Sequence, residues 1–423
     1  MVDSPPLASV AIHPLQPPRG PPAPYPDDEV TLVSGFAKLR GTPEQRQAAA
    51  AAASTPTSTT IHTPTYTFIM DSAATLVPVR APAMPSSLDA GFPDGYTSRG
   101  AHAGVEEVIL AAQAAGIDFR APPLEASGDA SPLIITYRNN LRKIFGTAYD
   151  PMAGWVVDAV DATATTSGRR PIVCLDIVQT PAFDATPESD QFSYWGYKFE
   201  ALCTAAGGGG GGPPQPARHG RPEWAALVKR RLGGCDVLMA AETDGYCPEL
   251  AAAATPGGGG NAAATQAIPH HAFVELKTLR WPTSHGAAVG LHRRKVPTWW
   301  VQSWLAGAAV VWAGGREHDG MLTRVDRIPV RDLPRWSASQ GGRWCPRAIA
   351  DSGGSILDWM AAAAAGHPGT HLRFEYVPPP VRGAQGVLSA REVVGGDLGA
   401  RLKIINAPPR KAGGGGGGAG SRG

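Results

Sequence analysis

Short apolar runs alternate with glycine- and proline-rich stretches along this chain, and most of these runs have the character of β-strands. Their β-branched and aromatic residues favour an extended backbone, and turn-forming residues flank them. The runs PLIITYR, PIVCLDIVQ, WGYKFEAL, CDVLMAAETD, AFVELKTL and AAVVWAGG predict strands at residues 132–138, 171–179, 195–202, 235–244, 272–279 and 308–315.

Two other segments have the spacing of amphipathic helices. Residues 104–116, GVEEVILAAQAAG, would end at Gly116 and place four apolar residues on one face: Val105, Val108, Ile109 and Ala112. In residues 298–307, TWWVQSWLAG, Thr298 is predicted to cap a helix that Gly307 terminates. The apolar stripe of this second helix would consist of Trp300, Val301, Trp304 and Leu305. Strands outnumber helices without a regular β-α-β rhythm, which predicts an α+β (mixed α/β) domain.

Composition limits how much of the chain can belong to this domain. The 423 residues include 52 glycines and 41 prolines, many of them in low-complexity stretches. The proline-rich residues 1–27 and the glycine-rich tail 381–423 are predicted to be disordered. Gly/Ala-rich stretches near 205–220 and 251–266 are predicted to be exposed insertions within one catalytic domain at 28–380.

Net charge and cysteine usage exclude some classes of protein. A formal charge of +2 offers no bulk attraction for nucleic acid, so any polyanion site must depend on local clusters such as Arg293, Arg294 and Lys295. Five cysteines without CxxC spacing predict reduced thiols and argue against a zinc site. Neither a signal peptide nor an apolar run of roughly 20 residues is evident, which predicts a nuclear or cytoplasmic protein without a membrane span.

Charged residues interrupt two of the predicted strands. Side chains two apart on a strand share a face, so Glu275 and Lys277 should project together while Leu276 points into the core. By the same rule Glu242 and Asp244 share a face at the end of the preceding strand. A third predicted strand carries one further carboxylate at Glu200. Three segments would therefore deliver acidic groups out of apolar surroundings.

Carboxylates brought together in this way need a compensating charge, because burying them unpaired is costly. An all-oxygen ligand set favours a hard divalent cation, Mg²⁺ or Mn²⁺, and a pair of such ions is suited to in-line attack on phosphorus. Lys277 could orient a water or stabilise negative charge on phosphate oxygens, and Gln302 could position either group. An acid-x-Lys element after an upstream acid is the pattern of the PD-(D/E)xK nuclease superfamily.

Structural interpretations compete with each of these assignments. Glu275 and Lys277 could form an exposed pair on the wet face of a sheet, and Glu242 and Asp244 could be turn residues before a glycine. Gln302 could be an interfacial residue bonded to the backbone. The acidic stretch 188–190 after a proline is interpreted as a solvated loop. The order of three acid-bearing segments followed by a helix with a polar residue favours a catalytic site.

Four motifs in a fixed order resemble those of the DXO family, eukaryotic enzymes that hydrolyse the 5′ ends of defective or unusually capped RNA. They are GYKFE at 196–200, ETD at 242–244, ELK at 275–277 and WVQSWLAG at 300–307. TYRNNLRKIFGTAYD is similar to the first motif of the family, with Arg138 as its arginine. The resemblance spans roughly residues 85 to 330.

The resemblance implies two packed, twisted mixed β-sheets with flanking helices around a deep active-site pocket. It implies metal ligation by Glu200, Glu242, Asp244, Glu275 and the carbonyl of Leu276. Lys277 and Gln302 would hold the nucleophilic water or the scissile phosphate, and Arg138 would hold substrate phosphates. Asn139 departs from the family, where a small residue is usual, and both insertions lie near motif segments. These departures affect the expected substrate preference and leave the chemistry intact.

Three hypotheses about function follow. The leading one is a metal-dependent hydrolase that binds single-stranded RNA 5′ ends, removes NAD caps, incompletely methylated caps or 5′ triphosphates, and degrades RNA from 5′ to 3′. The second is a PD-(D/E)xK-type DNA endonuclease, for which duplex binding would favour a more basic groove. The third is a non-catalytic partner of a 5′ to 3′ exoribonuclease, which should have lost a metal ligand.

Overall fold

Two β-sheets with helices around them form the part of the chain that the structure describes. This computed structural model describes residues 6–12, 30–39, 44, 46–48, 50, 59–62, 67–70, 76–94, 96, 104–120, 131–163, 170–178, 186–204, 223–253 and 268–406.

The strands, numbered along the chain, are Ala8–Ile12 (β1), Val30–Leu39 (β2), Thr59–His62 (β3), Thr67–Met70 (β4), Ser86–Ser87 (β5), Leu133–Tyr137 (β6), Trp155–Asp161 (β7), Ile172–Ile177 (β8), Glu223–Leu232 (β9), Cys235–Glu242 (β10), Gly245–Tyr246 (β11), Phe273–Arg280 (β12), Val310–Arg316 (β13), Met321–Pro329 (β14), Leu372–Val377 (β15) and Gly386–Glu392 (β16). The helices are Glu106–Ala114 (α1), Arg138–Gly146 (α2), Pro187–Thr204 (α3), Pro248–Ala253 (α4), His285–Ala306 (α5), Leu333–Ser339 (α6), Pro346–Ala365 (α7) and Leu398–Arg401 (α8).

The larger sheet contains eleven strands in the order β1-β16-β15-β7-β8-β6-β10-β9-β2-β4-β3. Its centre is parallel, since β6 pairs in parallel with both β8 and β10, and the flanking pairs are antiparallel. Alternate residues of β6 enter different cores: Ile134 packs into one apolar cluster, and Leu133 and Ile135 pack into another. Burial on both faces explains why this strand is an uninterrupted apolar run.

The smaller sheet contains five strands in the order β11-β12-β13-β14-β5. Strands β12 and β13 are parallel, and their other neighbours are antiparallel. Phe273 and Leu279 of β12 belong to the same core as Ile134 of the larger sheet, whereas Val274 and Leu276 pack on the other face against residues of α3. The predicted α+β class with two mixed sheets is thus confirmed.

Five of the six predicted strands and the helix at 104–116 are confirmed, but the strand predicted at 195–202 is wrong. That segment lies inside helix α3. Its aromatic residues alternate as in a strand, yet the buried positions Trp195, Phe199 and Cys203 follow each other at four-residue spacing, as on one helix face. The acidic stretch 188–190, predicted to be a loop, belongs to the first turn of the same helix. Acidic side chains in this turn stabilise the helix by interacting with its dipole.

Helix α5 begins fourteen residues earlier than predicted, at His285. Ser284 is the cap, because its hydroxyl accepts a hydrogen bond from the Ala287 amide at 3.2 Å, and Thr298 lies inside the helix. Pro297 is accommodated within the helix. The predicted end is correct: Gly307 adopts a left-handed conformation with φ 73°. The four residues of the predicted apolar stripe are buried.

Both predicted disordered termini contain ordered structure. Strand β1 falls within residues 1–27 and pairs with β16, which falls within the predicted tail. Pairing between the two ends supplies hydrogen bonds that neither segment could make alone, which explains why their composition was misleading. Most of the two predicted insertions lies outside the described residues.

The described cysteines are all free and buried. In the ranges that the structure describes, no helix is long and apolar enough to span a membrane.

Candidate active site

Arg138 marks the junction between the central parallel strand and a helix. Strand β6 ends at Tyr137, whose backbone is extended, and α2 begins at the next residue. The apolar side chains of β6 anchor the strand between two cores, so the polar residues that follow emerge at its carboxyl end. Binding groups commonly gather at this edge of a parallel sheet.

Glu275 and Lys277 of β12 face the space between the two sheets, on the same side as Phe273 and Leu279. Glu275 is only 3% exposed, so the alternative of an exposed surface pair is wrong. Its Oε1 lies 2.5 Å from Lys277 Nζ, and its Oε2 lies 2.8 Å from Nη1 of Arg138. Two cations, one from each sheet region, therefore bind one buried carboxylate.

Asp244 follows the end of β10, and its side chain connects this strand to β12 of the smaller sheet. Its Oδ2 accepts a hydrogen bond from the Leu276 amide at 2.7 Å, so this carboxylate lies beside the acid-x-Lys element. Leu276 itself is 4% exposed and packs into the core, as predicted. Burial lowers the pKa of Arg138, but the charges of Glu275 and Asp244 outweigh it and raise the pKa; Glu242, the last residue of β10, adds a smaller effect in the same direction.

Glu200 reaches the same region from helix α3. The neighbouring Phe199 is fully buried against the small sheet, and a Cβ atom at Gly314 of β13 would lie 2.8 Å from its ring. Glycine at this position therefore permits the close approach of the helix. Cys203, one turn after Glu200, has its pKa raised to about 12 by burial and by the charges of Glu200 and Asp244.

The electrostatics of these carboxylates differ. Burial and the charges of Glu275 and Glu200 raise the pKa of Asp244 well above its usual range. Burial also opposes ionisation of Glu275, but the charges of Arg138 and Lys277 outweigh it, so its pKa is lowered. Repulsion among three acids thus persists at Asp244 even though two cations lie nearby.

Helix α5 contributes Gln302 to the same group of residues. Nη1 of Arg138 donates to the backbone carbonyl oxygen of Gln302 at 3.3 Å as well as to Glu275, so this nitrogen has two acceptors. Among the described residues, no other guanidinium nitrogen of Arg138 donates to a protein acceptor. The role of the Gln302 side chain with water or phosphate stays a prediction.

These residues fit a divalent cation, although they are not arranged as a finished metal site. Within the described ranges, no three Asp, Glu, His or Cys side chains already have metal-binding geometry. Both oxygens of Glu275 are bonded to the side chains of Arg138 and Lys277, which is one reason why this carboxylate is not arranged as a metal ligand. The donor set is nevertheless all carboxylate, buried and mutually repelling, which favours a hard cation. Glu200, Glu242, Asp244, Glu275 and the Leu276 carbonyl could hold it.

One neighbour of the site was not predicted from the sequence. Arg142 lies one turn after Arg138 on α2, and burial and the charge of Arg138 lower its pKa. The i, i+4 spacing of the two arginines was the available signal, since such residues share a helix face. Arg142 places a second positive charge on α2, one turn beyond Arg138 and the carboxylates.

The two-sheet fold, with an acid-x-Lys strand facing an upstream acid, defines a nuclease-like protein of the PD-(D/E)xK type. A family model described as RAI1 like PD-(D/E)XK nuclease matches residues 62–385. The chain therefore belongs to this family.

Known proteins similar to this chain agree with the assignment. The decapping and exoribonuclease protein of Homo sapiens is 27% identical over 274 residues, which are 64% of this chain and 63% of that protein. The chain thus spans less than two thirds of this relative. Rai1 of Scheffersomyces stipitis, crystallised with (3′-NADP)⁺ and calcium, has a TM-score of 0.62 at 15% identity, over 92% of this chain and 96% of its own. Rai1 of Candida albicans, crystallised with pU5 and Mn²⁺, has a TM-score of 0.61 at 14% identity, over 93% and 96%.

Proposed function

We propose that this chain is a metal-dependent hydrolase of RNA 5′ ends that removes NAD caps, incompletely methylated caps or 5′ triphosphates and degrades RNA from 5′ to 3′. The observation that carries the proposal is the buried carboxylate group around Asp244, whose pKa is raised by burial and by repulsion from Glu275 and Glu200, beside two cations. Solved relatives with a nucleotide, an RNA and divalent ions support this choice of substrate.

A pair of Mg²⁺ or Mn²⁺ ions bound by the carboxylates would supply Lewis-acid catalysis and an activated water. The protein groups around it have separate tasks. Arg138 retains guanidinium donors beyond its bonds to Glu275 and Gln302, and these are available to a substrate phosphate. Lys277, fixed by Glu275, would stabilise negative charge that develops on the phosphate oxygens.

Burial strengthens the electrostatic interaction that these groups would make with a phosphate. Arg138 and Glu275 side chains are 11% and 3% exposed, so water screens their charges only weakly. Gln302, on the adjacent helix, would position the attacking water or a phosphate oxygen. Glu242 would act on the second ion directly or through water.

The test is a side-by-side assay of one RNA sequence with four 5′ ends: NAD cap, triphosphate, unmethylated cap and monophosphate. Products would be identified by mass spectrometry in the presence of Mn²⁺ and of Mg²⁺. We expect release of cap-derived products or nucleotides from at least one end type, and none when the metal is chelated. Cleavage of duplex DNA alone would instead support the endonuclease hypothesis.

The remaining alternative is a non-catalytic partner of a 5′ to 3′ exoribonuclease. All the carboxylates that the motifs predict are present, which favours catalysis. Absence of product from all four RNAs, combined with stimulation of an added exoribonuclease, would favour the partner role.

A further inference from the structure

A basic cleft lies beside the N-terminal half of helix α5, outside the carboxylate site. Its volume is about 470 Å³, and four arginines line it: Arg293, Arg294, Arg343 and Arg382. Asp150 is the acidic residue in its wall. None of the four arginines forms an ion pair with a residue in the described part of the chain. The cleft therefore has an excess of positive over negative charge, which favours a polyanion.

Two aromatic residues in the wall of the cleft are fixed by hydrogen bonds from their polar atoms. The Tyr149 hydroxyl lies 3.1 Å from Thr298 Oγ1, and Trp344 Nε1 donates to Ser337 Oγ at 2.8 Å. Arg293 is also held, because its Nε donates to the Gly341 carbonyl at 3.1 Å. Aromatic rings on which bases can stack, combined with cations for the backbone, are the composition of single-stranded nucleic-acid sites.

Helix α5 connects this cleft to the candidate active site. Gln302, Thr298 and Arg294 follow each other at four-residue spacing and so lie along one face of the helix. None of the three is buried. Eight residues at the helical rise place Arg294 about 12 Å from Gln302 along the axis. An extended strand of a few nucleotides can span this separation.

A second row of residues runs in parallel along helix α2. Arg138 and Arg142 are one turn apart on α2, and Arg142 also lies within electrostatic range of the Tyr149 side chain. Arg142 therefore lies between the carboxylate site and the wall of the cleft. Positive charge continues from one site to the other on two helices that pack together.

From this continuity we propose that the cleft binds the backbone phosphates of the single-stranded RNA downstream of the 5′ end that occupies the carboxylate site. The proposal rests on the proposed function for the identity of the ligand. It also refines the predicted basic cluster: Arg293 and Arg294 line the cleft, whereas Lys295 does not. Arg343 and Arg382, distant in sequence, complete the site.

The experiment compares the double variant Arg293→Ala, Arg294→Ala with wild type on two 5′-monophosphorylated substrates, a dinucleotide and a long single-stranded RNA. We expect the preference for long RNA, measured as the ratio of the two kcat/KM values, to fall roughly tenfold through KM. For binding of the long RNA, the slope of log affinity against log salt should become shallower by about 0.7 per lost phosphate contact.

The matched control is Arg331→Ala, Arg335→Ala, which removes the same charge from exposed positions outside the cleft. This control should keep both the length preference and the salt slope. An unchanged preference in the cleft variant, or an equal loss on both substrates, would overturn the proposal. Binding is measured separately by fluorescence anisotropy. A wild type that binds RNA through these arginines but hydrolyses no RNA would refute the proposed function and leave the cleft assignment standing.

Discussion

Tyr137 and Arg138 are adjacent in the chain, yet they reach buried carboxylates on different sides of the large sheet. The Tyr137 hydroxyl donates to Glu107 of α1 at 2.8 Å, while Arg138 binds Glu275 at 2.8 Å. Lys38 lies 3.6 Å from Glu107, just as Lys277 accompanies Glu275. The two clusters thus begin with a similar arrangement of one acid, one cation and one further donor.

The difference between the clusters is the number of carboxylates that share one buried space. Burial raises the pKa of Glu107 to about 7, and the charge of Lys38 lowers it only in part. A single proton can therefore neutralise the one acid of this pair. At Asp244 burial acts together with repulsion from Glu275 and Glu200, and one proton leaves two charged acids. A multivalent cation can neutralise all three, which distinguishes a candidate catalytic cluster from a structural one.

The largest expected effect separates the clusters by activity. Replacing Glu242 and Asp244 together by alanine should lower RNA hydrolysis more than roughly 100-fold, because loss of direct ligands should exceed the effect of losing their outer partners. Product release and circular dichroism would be measured together. Glu107→Gln should retain activity. Continued product release by a folded double variant would refute the assignment of the metal ligands.

Removing a cation from the candidate site should destabilise it. Arg138→Ala leaves the buried Glu275 with Lys277 as its partner, so the cost in the metal-free protein should be about 3 kcal/mol, at the lower end for breaking a buried ion pair. Added Mn²⁺ should recover part of this loss, since a cation bound to the native state stabilises it. Thermal unfolding with and without Mn²⁺ measures both effects.

The control for this variant is Arg347→Ala, which breaks the exposed ion pair with Asp351. Its unfolding temperature should change little, because exposed ion pairs contribute up to about 1 kcal/mol. Equal destabilisation by the two variants would show that the buried ion pair contributes no more to stability than the exposed one.

The contribution of Glu107 should be visible in how the free energy of unfolding changes with pH. Its pKa is about 7 in the folded protein and 4.5 ordinarily, so the folded state binds more protons between these values. Stability from this group is therefore lost as pH rises from 4.5 to 7, by about 3 kcal/mol at most. Glu107→Gln should flatten this part of the profile in urea unfolding. A parallel profile in the variant would contradict the assignment.

The smallest effect compares amide substitutions in the two clusters. Asp244→Asn removes the acid whose ionisation burial and repulsion oppose, and it should stabilise the metal-free protein by about 1 kcal/mol, since catalytic sites commonly trade stability for function. It should also reduce the gain in unfolding temperature on adding Mn²⁺. Glu107→Gln should leave that gain unchanged, and an equal Mn²⁺ response in both variants would place the metal elsewhere.

Local patterns were sufficient for much of the fold and for the identity of the charged groups. Strands β6, β8, β10, β12 and β13 were predictable because burial selects apolar, β-branched runs. The segment around Glu200 was misread, because its aromatic alternation and its four-residue burial spacing coexist in one sequence. In the folded protein the helical pattern is realised, with Phe199 packed closely against Gly314.

Residue order alone identified an acid-x-Lys strand and the family motifs, because both are short and local. Only the tertiary structure brought Arg138 to Glu275, which is 137 residues away, and placed Asp244 against the Leu276 amide. It also assembled four arginines from three distant segments into one cleft. Burial, repulsion and field strength depend on distances between segments, which residue order does not specify.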